Sequence, residues 1–300
     1  MFTGLSAFPL TPLTSTGIDE RALESLVTGL VTAQVDSICA LGSTGGYAYL
    51  DRIERARTIE LILAAAGDTP VMAGVGALRT RDVLRHVEDA QNLGVAAVLL
   101  APMSYQPLSD EEVFGLFEDV TAQLSVPLVV YDNPSTTRVV FSDELHAQIA
   151  QLPGVASIKI PPVSADPKEA RSRVTALRSK LPAHISLGIS GDMVAAEGLI
   201  AGCDVWYSAI AGVLPEPCMA LTRAALSGDA ELARTISARM NPLFEVMRQY
   251  GSFRVASAVA EELMLVSAGN LPAPIRPLNT QARAEVHNAL ARLRETEFIG

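Results

Sequence analysis

The sequence predicts a (β/α)8 barrel followed by a C-terminal helical extension. Three observations support this fold: short apolar runs recur along the first 210 residues, amphipathic stretches fill most gaps between them, and no comparable run follows. Near-continuous apolar runs are typical of parallel strands that helices cover on the outside. We therefore assign residues 1–214 to the barrel and residues 215–300 to the helical extension.

The predicted strands begin about 20–35 residues apart, which leaves room for one helix in nearly every gap. They comprise residues 4–10, 35–41, 70–76, 95–101, 127–132, 155–160, 184–190 and 204–210. Strands that alternate regularly with helices indicate an α/β fold, and eight such units indicate a barrel. An open doubly wound sheet is the alternative, although no glycine-rich dinucleotide-binding loop follows the first strand.

Helices are predicted where apolar residues recur at helical spacing between residues that cap helix ends. Asp51 and Gly67 bound one such stretch, as an N-cap and a glycine stop do. The predicted helices comprise residues 19–34, 51–67, 80–94, 109–124, 142–152 and 192–202. Within the second, the mixed-charge stretch 52–60 is interpreted as a solvated face. Asp192 is expected to cap the last of them.

Beyond residue 215 the sequence predicts only helices. Residues 215–250 are expected to form two helices that are interrupted near Asn241-Pro242, because proline disrupts a helix interior. Two more helices are predicted within residues 254–269 and 279–295. This segment is interpreted as an appendage to the barrel.

Composition and charge exclude several classes of partner. The 300-residue chain carries a net charge of −10 and has no basic patch, so neither nucleic acid nor an anionic membrane is expected to bind. No apolar run reaches the roughly 20 residues of a membrane span. The cysteines Cys39, Cys203 and Cys218 form no CxxC pair, and the N-terminus lacks a secretory signal pattern. These features predict a cytoplasmic protein.

Lys159 is the most informative residue of the predicted barrel. It lies within the sixth strand, where burial of an unpaired ammonium is costly and lowers the lysine pKa. In barrels of this kind the reactive groups gather at the C-terminal strand ends. A neutral amine there attacks a ketone or aldehyde and forms a Schiff base. The alternative is that Lys159 extends to the barrel mouth and pairs with a carboxylate.

Two other strand ends carry groups that suit such chemistry. Tyr131 ends the fifth strand and could relay protons, although a packed tyrosine with its hydroxyl on a backbone carbonyl is also common. The "GSTGG" loop at residues 42–46 offers the Ser43 and Thr44 hydroxyls and backbone N–H groups to a carboxylate. A tight loop that needs flexible glycines would explain the same letters.

The "GSTGG" loop, the "YDNP" at the end of the fifth strand and the "IK" of the sixth occur together in a familiar order and spacing. In these motifs the chain resembles the dihydrodipicolinate synthase / N-acetylneuraminate lyase family over essentially its whole length. The resemblance implies a Schiff-base-forming class I aldolase on a (β/α)8 barrel. It also implies a homo-oligomer, a tetramer or a dimer, in which an aromatic residue of one subunit reaches its neighbour's site.

The resemblance also implies roles for individual residues. Lys159 matches the Schiff-base lysine, Tyr131 the proton-relaying tyrosine, and Thr44 a member of the same relay. Substrate-binding positions are implied at Ser43, Thr44, Gly191, Trp206, Thr136 and Tyr105.

Several positions depart from the family pattern, among them Ile160-Pro161-Pro162, where most members have an acidic or small polar residue after the lysine. Gly46 replaces a glutamate, and Thr136 replaces an arginine that holds a second substrate's carboxylate in dihydrodipicolinate synthases. Tyr105 falls one residue beyond the expected tyrosine position. Thr136 cannot form a bidentate pair with a carboxylate. The residues that activate a keto acid are therefore intact, whereas those that recognise the second substrate are altered.

The sequence thus predicts a lyase that acts on a 2-keto acid, either pyruvate or a substrate that releases pyruvate. The alternatives are a dehydratase of a sugar-derived keto acid that uses the same lysine, a true 4-hydroxy-tetrahydrodipicolinate synthase, which Thr136 disfavours, and a catalytically weak keto acid-binding protein. No cofactor and no metal are expected. A metal-dependent aldolase would need clustered ligands, whereas the histidines are scattered at His86, His146, His184 and His287.

Overall fold

A computed structural model describes residues 1–295 and shows that the predicted barrel is correct. Eight parallel strands pair in a closed ring: β1 Gly4–Ala7, β2 Ser37–Ala40, β3 Val71–Gly74, β4 Ala97–Leu100, β5 Leu128–Tyr131, β6 Val155–Ile160, β7 Ser186–Ile189 and β8 Val205–Ser208. Because β1 pairs with both β8 and β2, the sheet has no edges. This closure excludes the open doubly wound sheet.

Helices follow each strand along the chain. Within residues 1–295 they are α1 Glu20–Thr32, α2 Arg52–Ala65, α3 Thr80–Leu93, α4 Asp110–Thr121, α5 Pro134–Thr137, α6 Asp143–Ile149, α7 Pro167–Arg178, α8 Ala195–Ile200, α9 Pro215–Leu226, α10 Ala230–Tyr250, α11 Ser252–Glu262 and α12 Thr280–Arg294. Asp51 caps α2 in a capping box with Glu54, as its position predicts. A short hairpin of Leu13–Thr14 and Gly17–Ile18 lies between β1 and α1.

The expected break at Asn241-Pro242 is wrong. Helix α10 continues through Pro242, and the chain breaks earlier, between Leu226 and Ala230. Gly228 adopts a left-handed φ of 90° there, and the Asp229 side chain accepts the Leu232 N–H at the start of α10. These two residues give a better stop and start signal than a single interior proline, which removes only one helix hydrogen bond.

The boundary at residue 214 stays a prediction, and residues 296–300 of the predicted extension lie outside the described residues. Helix α9 packs against β1 and α8, the place where the eighth helix of a barrel lies. Helices α10, α11 and α12 pack mainly against one another and α9. None of the helices in the described chain is long and apolar enough to cross a membrane.

Alternation along the strands decides which side chains enter the barrel. On β6, Ile158 and Ile160 belong to the layer between strands and helices, whereas Ser157 and Lys159 face the interior. Lys159 pairs in register with Tyr131 of β5 on one side. On the other side its register partner is Gly188 of β7. The closed sheet therefore holds the lysine and the tyrosine side by side.

Candidate active site

The Lys159 amine lies inside the barrel without a counter-charge. The residue is only 4% exposed, and it forms no ion pair with any residue of the described chain. Burial lowers the pKa of Lys159 from 10.5 to about 8, while Cys39 and Asp192 act in the opposite direction. A substantial fraction of the amine is therefore neutral near physiological pH, which is the form that attacks a carbonyl.

Three aromatic rings surround this amine. Lys159 Nζ lies 3.9 Å from the ring centroid of Phe8, 4.1 Å from that of Tyr131 and 5.7 Å from that of Tyr207. The face of an aromatic ring attracts a cation. The rings therefore stabilise a positive charge at this nitrogen, whether it is an ammonium or the iminium of a Schiff base.

Tyr131 is placed to exchange a proton beside Lys159. Its side chain is buried, and burial raises the pKa of the phenol well above its usual range, while the nearby Ser43 hydroxyl acts in the opposite direction. The phenol thus keeps its proton at neutral pH and can donate it, then recover it from a reacting group. The Tyr131 hydroxyl accepts a hydrogen bond from Asn133 Nδ2 at 2.9 Å.

Asn133 is a site residue that the sequence analysis missed. Its amide nitrogen lies 3.5 Å from Ser43 Oγ as well as donating to Tyr131, so it joins the tyrosine to the "GSTGG" loop. Ser135 Oγ donates to Asn133 Oδ1 at 2.7 Å, which fixes the orientation of the amide. The residue is part of the "YDNP" motif, but its contacts depend on the turn into α5.

The "GSTGG" loop borders a small cavity next to Tyr131. Ser43 lines this cavity together with Tyr131 and Tyr47. Thr44 is buried beside Ser43, and no hydrogen bond of its side chain is found within residues 1–295. Gly46 adopts a left-handed φ of 66°, a conformation that a glutamate side chain would disfavour.

On β8 the structure corrects the expected placement of Trp206. Its indole lies in the layer between strands and helices, where Nε1 donates to Asp192 Oδ1 at 3.0 Å. The following residue, Tyr207, faces the barrel interior instead, and its hydroxyl lies 2.7 Å from Ser157 Oγ. Successive side chains on a strand point to opposite faces, so an assignment shifted by one residue selects the wrong face.

Asp192 does not cap a helix as expected. Its buried carboxylate accepts hydrogen bonds from Trp206 Nε1, Ser208 Oγ and the Ile210 N–H. The preceding residue, Gly191, lies two residues beyond β7 with a φ of 82°, and an added Cβ there would lie 2.5 Å from Pro162 Cγ. Gly191 therefore allows the ends of β6 and β7 to approach closely.

The two predicted specificity residues are exposed, unlike the buried lysine. Thr136 is exposed on the short helix α5, where its side chain makes no hydrogen bond within the described chain. Tyr105 follows β4 and is 88% exposed. The structure thus brings together Lys159, Tyr131 and Ser43, whereas Thr136 and Tyr105 face solvent in the single chain.

Comparisons with known proteins identify the fold and the chemistry together. The model of the dihydrodipicolinate synthetase family matches residues 1–293. The chain is 30% identical to a 4-hydroxy-tetrahydrodipicolinate synthase of Phenylobacterium zucineum, over 100% of this chain and 99% of that protein. This chain belongs to the dihydrodipicolinate synthetase family. It is therefore a lyase of the class I aldolase type, which confirms the predicted enzyme class.

Two solved structures show how far the similarity to this family extends. A dihydrodipicolinate synthase of Agrobacterium tumefaciens superposes with a TM-score of 0.93 and 43% identity, over 97% of this chain and 98% of that chain. A chloride-inhibited dihydrodipicolinate synthase of Acinetobacter baumannii, described as complexed with pyruvate, gives a TM-score of 0.88 and 25% identity over 100% of both chains. The similarity therefore includes the barrel and the C-terminal helices.

Arg55 corrects the interpretation of residues 52–60 as a solvated face. Its guanidinium is buried and donates to the carbonyls of Gly74 and Gly76, at 2.8 and 3.0 Å. It also lies 5.5 Å from the ring centroid of Tyr47. Gly74, Gly76 and Tyr47 all line the cavity beside Tyr131, so Arg55 supports one wall of the site from behind.

The described residues contain no group of three or more His, Cys, Asp or Glu side chains placed to hold a metal ion. His146 is buried, with Nε2 lying 3.3 Å from Asp132 Oδ2, and its ring stacks on Phe141. His287 pairs with Glu262 near the C-terminus. These two histidines therefore have structural contacts of their own.

The lowered pKa of Lys159 predicts the pH dependence of Schiff-base formation. The initial rate of adduct formation with pyruvate should rise with pH and level off above about 8, because only the neutral amine attacks the carbonyl. Samples reduced with sodium borohydride at short times and weighed by intact mass give this rate. A rate that keeps rising through about pH 10, the range of an ordinary lysine, would contradict the lowered pKa of Lys159.

Proposed function

We propose that this protein forms a Schiff base between Lys159 and a 2-keto acid, with pyruvate as the first substrate. The observation that carries this proposal is the buried, unpaired amine of Lys159 in register with Tyr131. The pyruvate complex described for the Acinetobacter baumannii relative supports the choice of keto acid.

The surrounding residues suit each step of this chemistry. The neutral Lys159 amine adds to the keto carbon, and loss of water from the resulting carbinolamine gives the iminium. Tyr131 supplies and removes the protons that these steps need, and Thr44 joins this relay. Ser43, Thr44 and the backbone N–H groups of their loop bind the keto acid's carboxylate. The iminium then withdraws electrons from the neighbouring carbon, which becomes nucleophilic once it loses a proton.

The second substrate is proposed to differ from that of dihydrodipicolinate synthases. Thr136 carries no positive charge at the position where the resemblance implies a carboxylate-binding arginine. Its exposed side chain makes no hydrogen bond within residues 1–295. Gly191, which lies just beyond β7, stays a proposed contact of the bound substrate. An aldehyde without a carboxylate at that position, or a sugar-derived keto acid that loses water through the same Schiff base, fits these features.

A homo-oligomer, tetramer or dimer, is supported by exposed apolar side chains around the barrel mouth. Tyr49, Ile53, Leu78 and Tyr105 are all exposed, and they follow the C-terminal ends of the adjacent strands β2, β3 and β4. An apolar patch of this kind marks an interaction surface. We propose that a second copy covers it and that Tyr105 reaches the neighbour's site.

A cytoplasmic location is proposed on the state of the cysteines. Cys39, Cys203 and Cys218 are all free and buried. Unpaired cysteines are typical of proteins from reducing compartments.

The Schiff base is tested by trapping. Incubation with pyruvate and sodium borohydride should add one reduced pyruvyl group to the wild-type protein, and Lys159→Ala should remove this gain completely. Lys168→Ala, which removes an exposed lysine, serves as the matched control and should trap like the wild type. The readout is intact mass, followed by peptide mapping. An adduct that persists in Lys159→Ala would place the chemistry elsewhere, and no wild-type adduct with any 2-keto acid would favour a different function.

The proton relay is tested without knowledge of the second substrate. Exchange of pyruvate's methyl protons in heavy water reports formation of the nucleophilic carbon and can be followed by NMR. Tyr131→Phe should slow this exchange by about 100-fold or more, the range for loss of an acid–base group. Tyr250→Phe, whose hydroxyl bonds Glu285 far from the site, should exchange at the wild-type rate. Equal rates in the wild type and Tyr131→Phe would exclude the relay.

The proposed interface is tested by sedimentation velocity. Ile53→Glu should weaken association at least about tenfold, because a charge buried at an apolar interface without a partner is costly. Met264→Glu changes another exposed apolar side chain outside this patch and should leave the assembly intact. A wild-type protein that sediments as a monomer at micromolar concentration would refute the oligomer.

A further inference from the structure

Phe8 is a residue beside the amine to which the sequence analysis gave no role. It follows β1 directly and is buried, with its ring centroid 3.9 Å from Lys159 Nζ. Its ring also meets Tyr207 edge to face, at 6.0 Å between centroids and 78° between planes. Phe8 is therefore a wall of the space beside the reactive nitrogen.

The backbone of Phe8 is fixed. Its N–H donates to the Ser208 carbonyl at 3.0 Å, which joins the end of β1 to β8. An added Cβ at Gly212 would lie 2.3 Å from the Phe8 carbonyl oxygen, so this segment is in close contact with the chain after β8. These contacts hold the Phe8 backbone in place, so the ring cannot move by a backbone shift.

The ring itself is also closely packed. An added Cβ at Gly42 would lie 2.3 Å from Phe8 Cδ1, so the ring lies directly against the first residue of the "GSTGG" loop. Around Tyr207, an added Cβ at Gly188 would lie 2.1 Å from Tyr207 Cε2. The two rings fill the space that a side chain at Gly42 or Gly188 would need. Closely packed protein interiors deform little.

A bound keto acid must lie against this ring. In the proposed function its carboxylate binds the Ser43–Thr44 loop and its carbonyl carbon bonds to Lys159 Nζ. Phe8 contacts both ends of that path, at Gly42 and at Nζ. We propose that the Phe8 ring limits the size of the keto acid, so that pyruvate is accepted and acids with a longer chain next to the carbonyl are rejected. This inference rests on the proposed function.

The expected discrimination follows from the cost of fitting extra methylene groups. One methylene too many in a closely packed pocket changes selectivity by about 10–200-fold. Replacement of Phe8 by a smaller residue creates the missing space and should reduce that discrimination. Leucine keeps an apolar side chain of intermediate size, so Phe8→Leu should lie between the wild type and Phe8→Ala.

The test is a competition between pyruvate and 2-oxopentanoate at equal concentration. After reduction with sodium borohydride, intact mass separates the two adducts, and their ratio measures selectivity. The wild type should favour pyruvate by at least about tenfold, and Phe8→Ala should lower this ratio by at least about tenfold. Phe244→Leu, which trims a buried ring in helix α10 of the C-terminal extension, should keep the wild-type ratio.

The outcomes separate this inference from the proposed function. Pyruvate adducts on Lys159 in every protein, with the same ratio in the wild type, Phe8→Leu and Phe8→Ala, would overturn the role of Phe8 and leave the Schiff-base function standing. If Phe8→Ala fails to fold, Phe8→Leu carries the comparison. No adduct with either acid in any of the proteins would overturn both.

Discussion

An uncompensated amine inside a closed barrel is the constraint on which the other features of the site depend. Removing the Lys159 ammonium from water without a carboxylate partner costs several kcal/mol, and the cost falls when the amine gives up its proton. The aromatic faces of Phe8 and Tyr131 return part of the lost stabilisation to the charged form. Both the neutral and the protonated form of the amine are therefore accessible. This suits the proposed function, in which the neutral nitrogen attacks a carbonyl and then carries the positive charge of the iminium.

Hydrogen bonds between the segment after β7 and the β8 region keep the aromatic surroundings of Lys159 in place. Asp192 accepts three hydrogen bonds from the β8 region, through Trp206, Ser208 and Ile210. These bonds hold Trp206 outside the barrel and so fix Tyr207 inside it, because neighbouring strand residues face opposite ways. A carboxylate that makes no ion pair with the amine therefore helps to fix the aromatic ring near it. The same carboxylate also favours the positive charge on Lys159 over distance.

The barrel and the placement of Lys159 beside Tyr131 could be predicted from the sequence because each leaves a local pattern: regular apolar runs, a lone lysine within one of them, a tyrosine at a strand end. Phe8 and Tyr207 could not, because in a continuous apolar run the sequence does not show which residues face inward. Arg55 was misjudged since its mixed-charge helix looks solvated, whereas the carbonyls that bury it belong to β3 and the loop after it. The error at Arg55 concerns contacts between distant segments, which no local pattern shows.

In the proposed function, the groups that activate the keto acid are buried, whereas the residues expected to recognise its partner are exposed. Lys159, Tyr131 and the "GSTGG" loop are held by the closed sheet, and their arrangement suits any reaction that begins with a keto acid Schiff base. Thr136, by contrast, lies exposed on α5 after β5, where no strand pairing constrains it. Substitutions in this exposed segment leave the surroundings of the Lys159 amine unchanged. We propose that the partner of the activated keto acid is bound by groups outside the barrel interior, so that family members with the same buried residues can differ in that partner.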